Sequence, residues 1–310
     1  MPDNRTDIQT LLDEIAEAVK PEFGKGQVAD YIPALARVPA DRFAMAVCGV
    51  DGQEWRTGDA LMPFSIQSIS KVFTLLTALE TIHPDELWQR VGREPSGTPF
   101  NSLMQLENEG GIPRNPFINA GAIVVTDAIA AHSASPVPHL LNMVRRLSGN
   151  PGIVIDEEVA RSEEEHGHRN AAIAHFLKAQ GNLKSEVTRV LHLYFRQCAI
   201  AMSAMDLARA FLPLANEGVI PATGEQRFPP LRVKRVNSIL LTCGLYDGVG
   251  NFAFRVGIPA KSGVGGGIVG VIPGKFSVCV WSPELDSLGN SHVGTAALEL
   301  FTRQTGLSIF

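Results

Sequence analysis

Two β-hairpin patterns, one near each end of the 310-residue chain, enclose a middle whose apolar residues recur at helical spacing. The first hairpin is predicted by an apolar segment followed by Asp51-Gly52, a strong turn signal between two strands. The second surrounds Pro273-Gly274, and its strands are apolar enough to be buried. The predicted strands are residues 43–50, 53–57, 268–272 and 275–281. Both ends of the chain therefore contribute to one sheet, which predicts an α+β fold with an inserted helical lobe.

The helical middle runs from about residue 68 to residue 244 and contains eight segments with an apolar repeat of helical period. The predicted helices are 68–80, 119–132, 137–147, 156–165, 169–179, 185–199, 203–217 and 230–243. Residues 92–117, rich in Gly, Pro and Asn, are predicted to be irregular, and an irregular stretch of that length is usually functional. Further helices are predicted at 8–19 and 294–301, whereas 26–33 has no clear period and should be a loop or an extended segment.

No internal repeat, low-complexity tract or flexible linker divides the chain, and its length is enough for a large buried core. The sequence therefore predicts a single domain over residues 1–310. Within it we expect a sheet lobe formed by about 1–67 and 245–310, and a helical lobe of about 68–244.

Composition and charge exclude several classes of function. The net charge of −5 leaves no basic footprint, which argues against nucleic acid as a partner. Residues 1–7 are polar and lack the apolar core of a signal peptide. No apolar run reaches the length of about 18 residues that a membrane span needs. We therefore expect a cytoplasmic protein without a membrane partner.

Neither the cysteines nor the histidines have the spacing of a metal site. The four cysteines are far apart, form no C-x-x-C pair and lie in apolar surroundings, which predicts buried thiols. They are Cys48, Cys198, Cys243 and Cys279. His166 and His168 stand close together in a polar loop, and we expect no metal there.

A Ser-x-x-Lys motif, from Ser68 to Lys71, opens the first predicted helix of the middle. Residues three apart share a helix face, so a hydroxyl and an amine are expected side by side. The apolar run after Lys71 buries this helix, and a desolvated lysine has a lowered pKa that lets it take a proton from serine. Unpaired N–H groups at the helix N-terminus favour an oxyanion nearby. The motif alone is also expected about once by chance in a chain of this length.

A second motif, Lys261-Ser262-Gly263, stands at the start of the late strand pair. On an edge strand beside a Ser-x-x-Lys helix, this is the third box of the penicillin-recognising serine enzymes. In that fold the first box opens the helix that follows an early strand pair, and the order here is the same. The middle Ser-Asp-Asn or Tyr-x-Asn box is not present in its usual form, which is a departure from the pattern.

Longer segments then narrow the choice within this group of enzymes. They are 28–33 (VADYIP), 64–71 (FSIQSISK), 113–122 (PRNPFINAGA), 162–163, 169–172, Tyr194, 244–246 and 259–267 (PAKSGVGGG). In these segments and their order, over almost its entire length, the chain resembles the serine-dependent glutaminases. The resemblance implies the β-lactamase and penicillin-binding-protein-like fold, an antiparallel sheet flanked by helices with an inserted helical lobe.

By position, the resemblance implies that Ser68 is the nucleophile and Lys71 its proton partner. The implied reaction is hydrolysis of L-glutamine to L-glutamate and ammonia through an acyl-Ser68 intermediate, with Tyr31 on a mobile lid. The residues implied to bind the substrate are Tyr31, Gln67, Ser68, Asn119, Glu163, Asn170, Tyr194, Tyr246 and Val264. No metal or organic cofactor is implied, and the resemblance implies a homo-oligomer, either a dimer or a tetramer.

The same chemistry can be built from the residue types. Hydrolysis of a primary carboxamide needs a nucleophile, a proton shuttle and donors for the tetrahedral oxyanion. We expect the backbone N–H groups of Ser68 and Val264 to be the donors, because glycines at 263 and 265–267 let the backbone approach a ligand closely. A plain flexible turn is the alternative for these glycines. Tyr246, just after a Gly-Leu pair, is a candidate for proton transfer near Ser68.

A free amino acid carries an α-ammonium and an α-carboxylate, and a small pocket must pair both. Glu163 suits the ammonium. The alternative is that the acidic run which begins at Glu163 forms a solvated helix face. Asn119, Asn170 and Tyr194 suit the carboxylate. An N-cap role is compatible with ligand contact at Asn119 and is the alternative for Asn170, and a core position is the alternative for Tyr194.

Two other functions remain open from the sequence. A β-lactamase or peptidase of the same fold is disfavoured because the export signal and the middle box are missing. A non-catalytic binding module on the same scaffold is the alternative from another class. An assay of ammonia and glutamate release, together with labelling by a β-lactam probe, separates the three.

Overall fold

The computed structural model describes residues 7–97, 99 and 101–310. The polar segment 1–6, on which the expectation about a signal peptide rests, lies outside the described residues, as do Thr98 and Phe100. The α-helices are α1 (Ile8–Ala18), α2 (Pro33–Ala36), α3 (Ser70–Thr81), α4 (Pro84–Arg90), α5 (Leu103–Asn108), α6 (Asn119–His132), α7 (Pro136–Ser148), α8 (Glu157–His166), α9 (His168–Ala179), α10 (Val187–Cys198), α11 (Ala204–Ala215), α12 (Pro230–Cys243), α13 (Val249–Arg255) and α14 (His292–Thr305). Short 3₁₀ turns lie at Lys20–Glu22, Gln67–Ile69 and Tyr246–Gly248.

The β-strands are β1 (Gln27–Val28), β2 (Ala44–Gly49), β3 (Glu54–Gly58), β4 (Phe64–Ser65), β5 (Val154–Ile155), β6 (Ile200–Met202), β7 (Val219–Ile220), β8 (Glu225–Gln226), β9 (Ala260–Ser262), β10 (Gly267–Ile272), β11 (Phe276–Trp281) and β12 (Glu284–Leu285). Five of them form an antiparallel sheet in the order β3-β2-β11-β10-β9. In its middle β2 pairs with β11, with Ala46 opposite Cys279. The sheet is therefore built from both ends of the chain, as the two hairpin patterns predict.

Side chains of the central strands alternate between two apolar layers, because successive residues of a strand point to opposite faces. On β2, Ala44 and Ala46 belong to the core that contains residues of α3, α6 and α11. Met45 and Val47 belong to a second core with residues of α1 and α14. The sheet thus separates the two terminal helices from the helical middle of the chain.

The helices predicted for the middle are all present, at α3 and α6 to α12, with ends that differ by at most two residues. The prediction of an irregular stretch over 92–117 is wrong in part, because α5 lies within it. Ser102 caps α5 by accepting a hydrogen bond from the N–H of Gln105 at 3.3 Å. Such a short helix contains too few apolar residues at helical spacing to be recognised in a segment rich in Gly, Pro and Asn. The same holds for α4, which has no counterpart among the predicted helices.

The four cysteines are buried as free thiols, as their apolar surroundings predict. Within the described ranges, no helix combines the length and the apolar character that crossing a bilayer requires.

Candidate active site

Ser68 lies in the 3₁₀ turn Gln67–Ile69, directly before the start of α3. Gln67 opens this turn with a φ of +49°, a left-handed conformation that is strained for a residue other than glycine. Its side chain is held by Ser65, whose Oγ accepts a hydrogen bond from Nε2 of Gln67 at 3.0 Å. Strain that is supported in this way is typical of functional sites.

Lys71 stands one turn after Ser68, and its side chain is fully enclosed by protein. Its Nζ donates to Oδ1 of Asn119 at 2.7 Å and to the carbonyl oxygen of Phe117 at 3.1 Å. Burial lowers the pKa of Lys71 to about 8, against the attraction of the Glu163 carboxylate. An amine with this pKa is partly neutral at mildly alkaline pH, so it is able to accept a proton.

Tyr246 reaches Ser68 from the turn that follows α12. It begins the 3₁₀ turn Tyr246–Gly248 and has a φ of +52°, which is again strained for an aromatic residue. Burial raises the pKa of the Tyr246 phenol, and a hydrogen bond with Ser68 opposes that rise. The phenol is therefore protonated at neutral pH and interacts with the hydroxyl of Ser68.

A cavity of about 380 Å³ opens in front of Ser68. Eight of the predicted site residues line it, namely Tyr31, Gln67, Ser68, Asn119, Glu163, Asn170, Tyr194 and Val264. Lys71 and Tyr246 lie behind its wall, where Lys71 is bonded to Asn119 and Tyr246 to Ser68. The fold thus brings together the predicted residues from separate helices, strands and loops.

Glu163 is enclosed beside the cavity and does not belong to a solvated face. It is 4% exposed, whereas Glu164 and Glu165 are exposed to solvent. The reading of the whole acidic run as a solvated face is therefore wrong for its first member, since α8 turns successive side chains to different sides. Burial raises the pKa of Glu163, and hydrogen bonds with Tyr31 and Gln67 oppose the rise.

Tyr31, in the segment before α2, covers the carboxylate of Glu163. Its hydroxyl donates to Oε1 of Glu163 at 2.8 Å and lies 3.2 Å from Oε1 of Gln67. The residue lines the cavity and is 50% exposed, so it lies at the cavity mouth with its hydroxyl bonded to Glu163. The side chain of Tyr31 therefore covers the cavity. That it opens and closes as a lid stays a prediction.

Asn119 and Asn170 form a hydrogen-bonded pair in the cavity wall. Nδ2 of Asn119 donates to Oδ1 of Asn170 at 2.9 Å. The N-cap role considered for each of them is wrong, because Ile118 and Gly167 occupy the N-cap positions of α6 and α9. Tyr194 is 2% exposed and also lines the cavity, so its core position and its place in the site are compatible.

The glycine-rich turn between β9 and β10 packs against the segment that precedes α3. A Cβ on Gly263 would lie 2.6 Å from the carbonyl oxygen of Ile66, and one on Gly265 would lie 2.3 Å from that of Ser65. The flexible-turn alternative is therefore wrong, since glycine is required where the two backbones meet. This close approach brings Val264 into the cavity wall.

Sequence reasoning missed several other lining residues. They are Asn101, His166, Gly167, Arg169 and Cys198. Arg169 falls in the matched segment 169–172, and its Nε donates to the carbonyl oxygen of Asn101 at 3.1 Å. No local pattern marks Asn101 as a residue of the cavity. Within the described ranges, no cluster of His, Cys, Asp and Glu is arranged to hold a metal ion.

Comparison with known proteins gives consistent matches across the chain. The profile of the glutaminase family matches residues 26–310. A glutaminase of Aeromonas salmonicida (strain A449) is 59% identical over 300 residues, which cover 97% of this chain and 98% of that protein. A glutaminase of Aeromonas hydrophila subsp. hydrophila is 58% identical with the same coverage.

Solved structures agree with the sequence matches. One is a Bacillus subtilis glutaminase in a covalent complex with 5-oxo-L-norleucine, formed by reaction with 6-diazo-5-oxo-L-norleucine. It superposes on this chain with a TM-score of 0.88 at 33% identity, and the match covers 98% of this chain and 100% of that one.

Proposed function

The chain belongs to the glutaminase family and has a β-lactamase-like fold, and we propose that it hydrolyses L-glutamine to L-glutamate and ammonia through an acyl-Ser68 intermediate. One observation carries the proposal. A single cavity of about 380 Å³ places the Ser68 hydroxyl together with the Glu163 carboxylate and the amides of Asn119 and Asn170. A nucleophile and complementary groups for both charged ends of an amino acid are therefore within one small space.

In the proposed acylation step, Oγ of Ser68 attacks the carboxamide carbon of glutamine and loses its proton. The proton passes to the neutral amine of Lys71, with Tyr246 as the relay, and then to the departing nitrogen. Ammonia leaves, and an ester between the glutamyl group and Oγ of Ser68 remains. The lowered pKa of Lys71 and the hydrogen bond between Tyr246 and Ser68 support these assignments.

Deacylation uses the same groups in the reverse order. A water molecule attacks the ester carbon and gives a proton to the pair formed by Lys71 and Tyr246. Oγ of Ser68 leaves as glutamate is released, and it takes the proton back. In both steps the negative oxygen of the tetrahedral intermediate accepts hydrogen bonds from the backbone N–H groups of Ser68 and Val264. The packing of the turn around Val264 against the segment before α3 supports this pairing.

Substrate recognition is assigned to the two sides of the cavity. Glu163 pairs with the α-ammonium, because an incoming cation offsets the cost of burying its carboxylate. Asn119, Asn170 and Tyr194 hold the α-carboxylate as donors. Gln67 contributes to the wall beside Ser68, and Tyr31 closes over the bound amino acid.

A direct assay tests this proposal. The purified protein should release equimolar ammonia and glutamate from L-glutamine. 6-Diazo-5-oxo-L-norleucine should lose N₂ and bond through its former diazo carbon to Oγ of Ser68, and mass spectrometry should detect the resulting 5-oxo-norleucine adduct. Ser68→Ala serves as the control and should neither turn over nor label. Labelling by a β-lactam together with no glutamine hydrolysis would instead support the β-lactamase alternative. Retention of glutamine without turnover would support a binding module.

The resemblance also supports a cytoplasmic homo-oligomer built from one domain per chain. Light scattering of the purified protein tests the oligomer, and fractionation of cells tests the location. Limited proteolysis tests the single domain over residues 1–310, since a cut that releases a stable fragment would contradict it.

A further inference from the structure

Ser65 lies next to the cavity without lining it, and the reaction steps above give it no role. It is buried on β4, opposite Ala201 of β6. Its Oγ donates to the carbonyl oxygen of Cys198 at 2.9 Å and accepts a hydrogen bond from Nε2 of Gln67 at 3.0 Å. Ser65 therefore joins the end of α10 to a side chain of the cavity wall.

The two hydrogen bonds of Ser65 determine which way the carboxamide of Gln67 faces. A serine hydroxyl has one hydrogen, and the carbonyl oxygen of Cys198 is able only to accept it. Oγ of Ser65 is thereby left as an acceptor, so the Gln67 atom that lies 3.0 Å away must be the NH₂ group. With Nε2 turned to Ser65, Oε1 of Gln67 faces Tyr31 instead.

Two acceptor oxygens meet at the hydroxyl of Tyr31. This hydroxyl lies 2.8 Å from Oε1 of Glu163 and 3.2 Å from Oε1 of Gln67. It has one hydrogen, and the charged carboxylate at the shorter distance takes it. The place proposed for the α-ammonium therefore has a neutral amide oxygen next to the charged carboxylate, and both residues line the cavity.

This set of oxygens suits an ammonium group, which has three N–H donors to pair. The oxygens of Glu163, Gln67 and Tyr31 that meet here offer one acceptor for each N–H. A Gln67 carboxamide that faced the other way would aim its NH₂ group at the ammonium, and two donors repel each other. The orientation of Gln67 thus decides whether this residue favours or opposes an α-amino group.

Glu163 by itself does not fix that orientation. Nε2 of Gln67 also interacts with Glu163, which engages one of its N–H groups. A single anchor leaves the carboxamide free to swing about it, and the bond to Ser65 is the second anchor. An ammonium that binds in the cavity competes with Gln67 for the oxygens of Glu163, whereas Ser65 is outside the cavity and keeps its bond. Ser65 therefore holds the amide in place when the substrate is bound.

We infer that Ser65 is a positioning residue for substrate recognition: its hydroxyl turns the carboxamide oxygen of Gln67 toward the α-ammonium. The inference rests on the proposed binding of that ammonium at Glu163. It gives Ser65 a share in the preference for an α-amino acid over the same amide without its amino group. Ser65 acts there through Gln67 and does not touch the substrate.

Two ligands separate this role from general support of the pocket. One is L-glutamine, and the other is glutaramate, which is glutamine without its α-ammonium. The readouts are kcat and KM for glutamine and the inhibition constant Ki of glutaramate against glutamine hydrolysis. Ki is measurable whether or not glutaramate is itself hydrolysed. Thermal unfolding of each variant reports whether the fold survives.

The variants remove one contact at a time. Ser65→Ala removes both hydrogen bonds of the hydroxyl, and Gln67→Met removes the carboxamide at similar length. The double variant combines the two changes. Ser70→Ala is the matched control, because Oγ of Ser70 is also buried and donates to the backbone carbonyl oxygen of Gln67 at 2.7 Å rather than to its carboxamide.

We expect Ser65→Ala to raise KM for glutamine by about tenfold and to change kcat by less than about threefold. Ki of glutaramate should change by less than about threefold, because this ligand has no ammonium to pair. In the Gln67→Met background, Ser65→Ala should change KM by less than about twofold, since the two residues act as one unit. Ser70→Ala should leave the ratio of KM to Ki at its wild-type value.

An unchanged KM in Ser65→Ala overturns the inference. So does a rise in Ki of glutaramate as large as the rise in KM, since a distorted pocket weakens both ligands. Effects of Ser65→Ala and Gln67→Met that multiply in the double variant overturn it as well. If Ser65→Ala does not fold, Ser65→Cys is judged by the same readouts, because a thiol is only a weak donor and acceptor.

Failure of the proposed function gives a different result. A wild-type protein that releases no ammonia from glutamine overturns the proposed function, and this inference with it. An active wild type whose KM for glutamine is unaffected by Ser65→Ala overturns only the inference.

Discussion

The amine of Lys71 donates a hydrogen bond of 2.7 Å to the side-chain oxygen of Asn119. With its oxygen engaged in this way, Asn119 turns its NH₂ group to Asn170, to which it donates at 2.9 Å. The proposed proton partner of Ser68 and the proposed carboxylate-binding amides therefore form one hydrogen-bonded chain. A change in the charge of any member should alter both the chemistry and the binding.

The first prediction is that Ser68→Ala abolishes turnover while the fold survives. The change removes one hydroxyl at the cavity wall and leaves the apolar face of α3 in place. Loss of the nucleophile should lower kcat by roughly 10⁴-fold or more. Ammonia release and thermal unfolding measure the two effects. Wild-type turnover in a folded Ser68→Ala protein would exclude Ser68 as the nucleophile.

The second prediction concerns the proton on Lys71. Only the neutral amine accepts a proton, and burial lowers the pKa of Lys71 to about 8. The kcat/KM of the wild type, which reports the pKa values of the free enzyme, should therefore rise with pH and reach half of its plateau near that value. Lys71→Arg should be nearly inactive at every pH, because a guanidinium does not lose its proton in proteins. Retention of a tenth of the activity by this variant would rule out a proton-transfer role.

The third prediction links the same amine to stability. The pKa of Lys71 falls from the usual 10.5 to about 8 on folding, so the native state binds fewer protons than the unfolded state between these values. The free energy of unfolding of the wild type should gain roughly 3 kcal/mol over this range, relative to Lys71→Met, which lacks the group. Urea unfolding of both proteins at pH 7.5 and pH 10 measures the change, with Ser68→Ala as a control that keeps Lys71. Parallel pH dependence of Lys71→Met and the wild type would show that the amine is not desolvated.

The fourth prediction follows from the bond between Lys71 and Asn119. Asn119→Asp keeps the shape of the side chain but places a negative charge beside the amine. The pKa of Lys71 should rise, so the rising limb of the kcat–pH profile should move to higher pH. KM should rise as well, because the new charge repels the α-carboxylate of glutamine. Kinetics from pH 6 to 10 measure both effects. An unchanged position of the rising limb in Asn119→Asp would show that Asn119 and Lys71 are not in contact in solution.

The fifth prediction concerns substrate length. If Glu163 binds the α-ammonium and the Asn119–Asn170 pair binds the α-carboxylate, both ends of the substrate are held at a fixed distance from Ser68. Asparagine is one methylene shorter, so its carboxamide cannot reach Ser68 while both charges stay paired. Glutamine should be preferred by roughly a hundredfold or more in kcat/KM, since an unpaired charge in a closed pocket costs several kcal/mol.

Glu163→Gln provides the matched test of that assignment. It should narrow the gap between glutamine and asparagine by weakening glutamine chiefly through KM, because the ammonium contact is the same in the ground and transition states. Both substrates are measured on both proteins. Comparable rates on glutamine and asparagine in the wild type, or an unchanged KM for glutamine in Glu163→Gln, would show that the pocket is assigned wrongly.

Local patterns in the sequence were enough to predict the elements that carry the site. The apolar period of α3 and α6 and the turn signal at Asp51-Gly52 each depend on residues within a few positions of one another. The Ser68-x-x-Lys71 spacing is local in the same sense. The longer matched segments predicted the family and the residues of the cavity, because these segments occur together in the fold that the family shares.

Tertiary packing decided which side chains of those elements meet. The run of Glu163, Glu164 and Glu165 is uniform in sequence, and only the burial of one side of α8 separates the first from the other two. Lys71 and Asn119 are 48 positions apart, so their contact exists only because α3 packs against α6. Nζ of Lys261 lies 4.4 Å from the ring centroid of Tyr246, and this contact likewise depends on β9 lying against the end of α12. Periodicity tells which face of an element is buried, but contacts between faces depend on the packing of the whole chain.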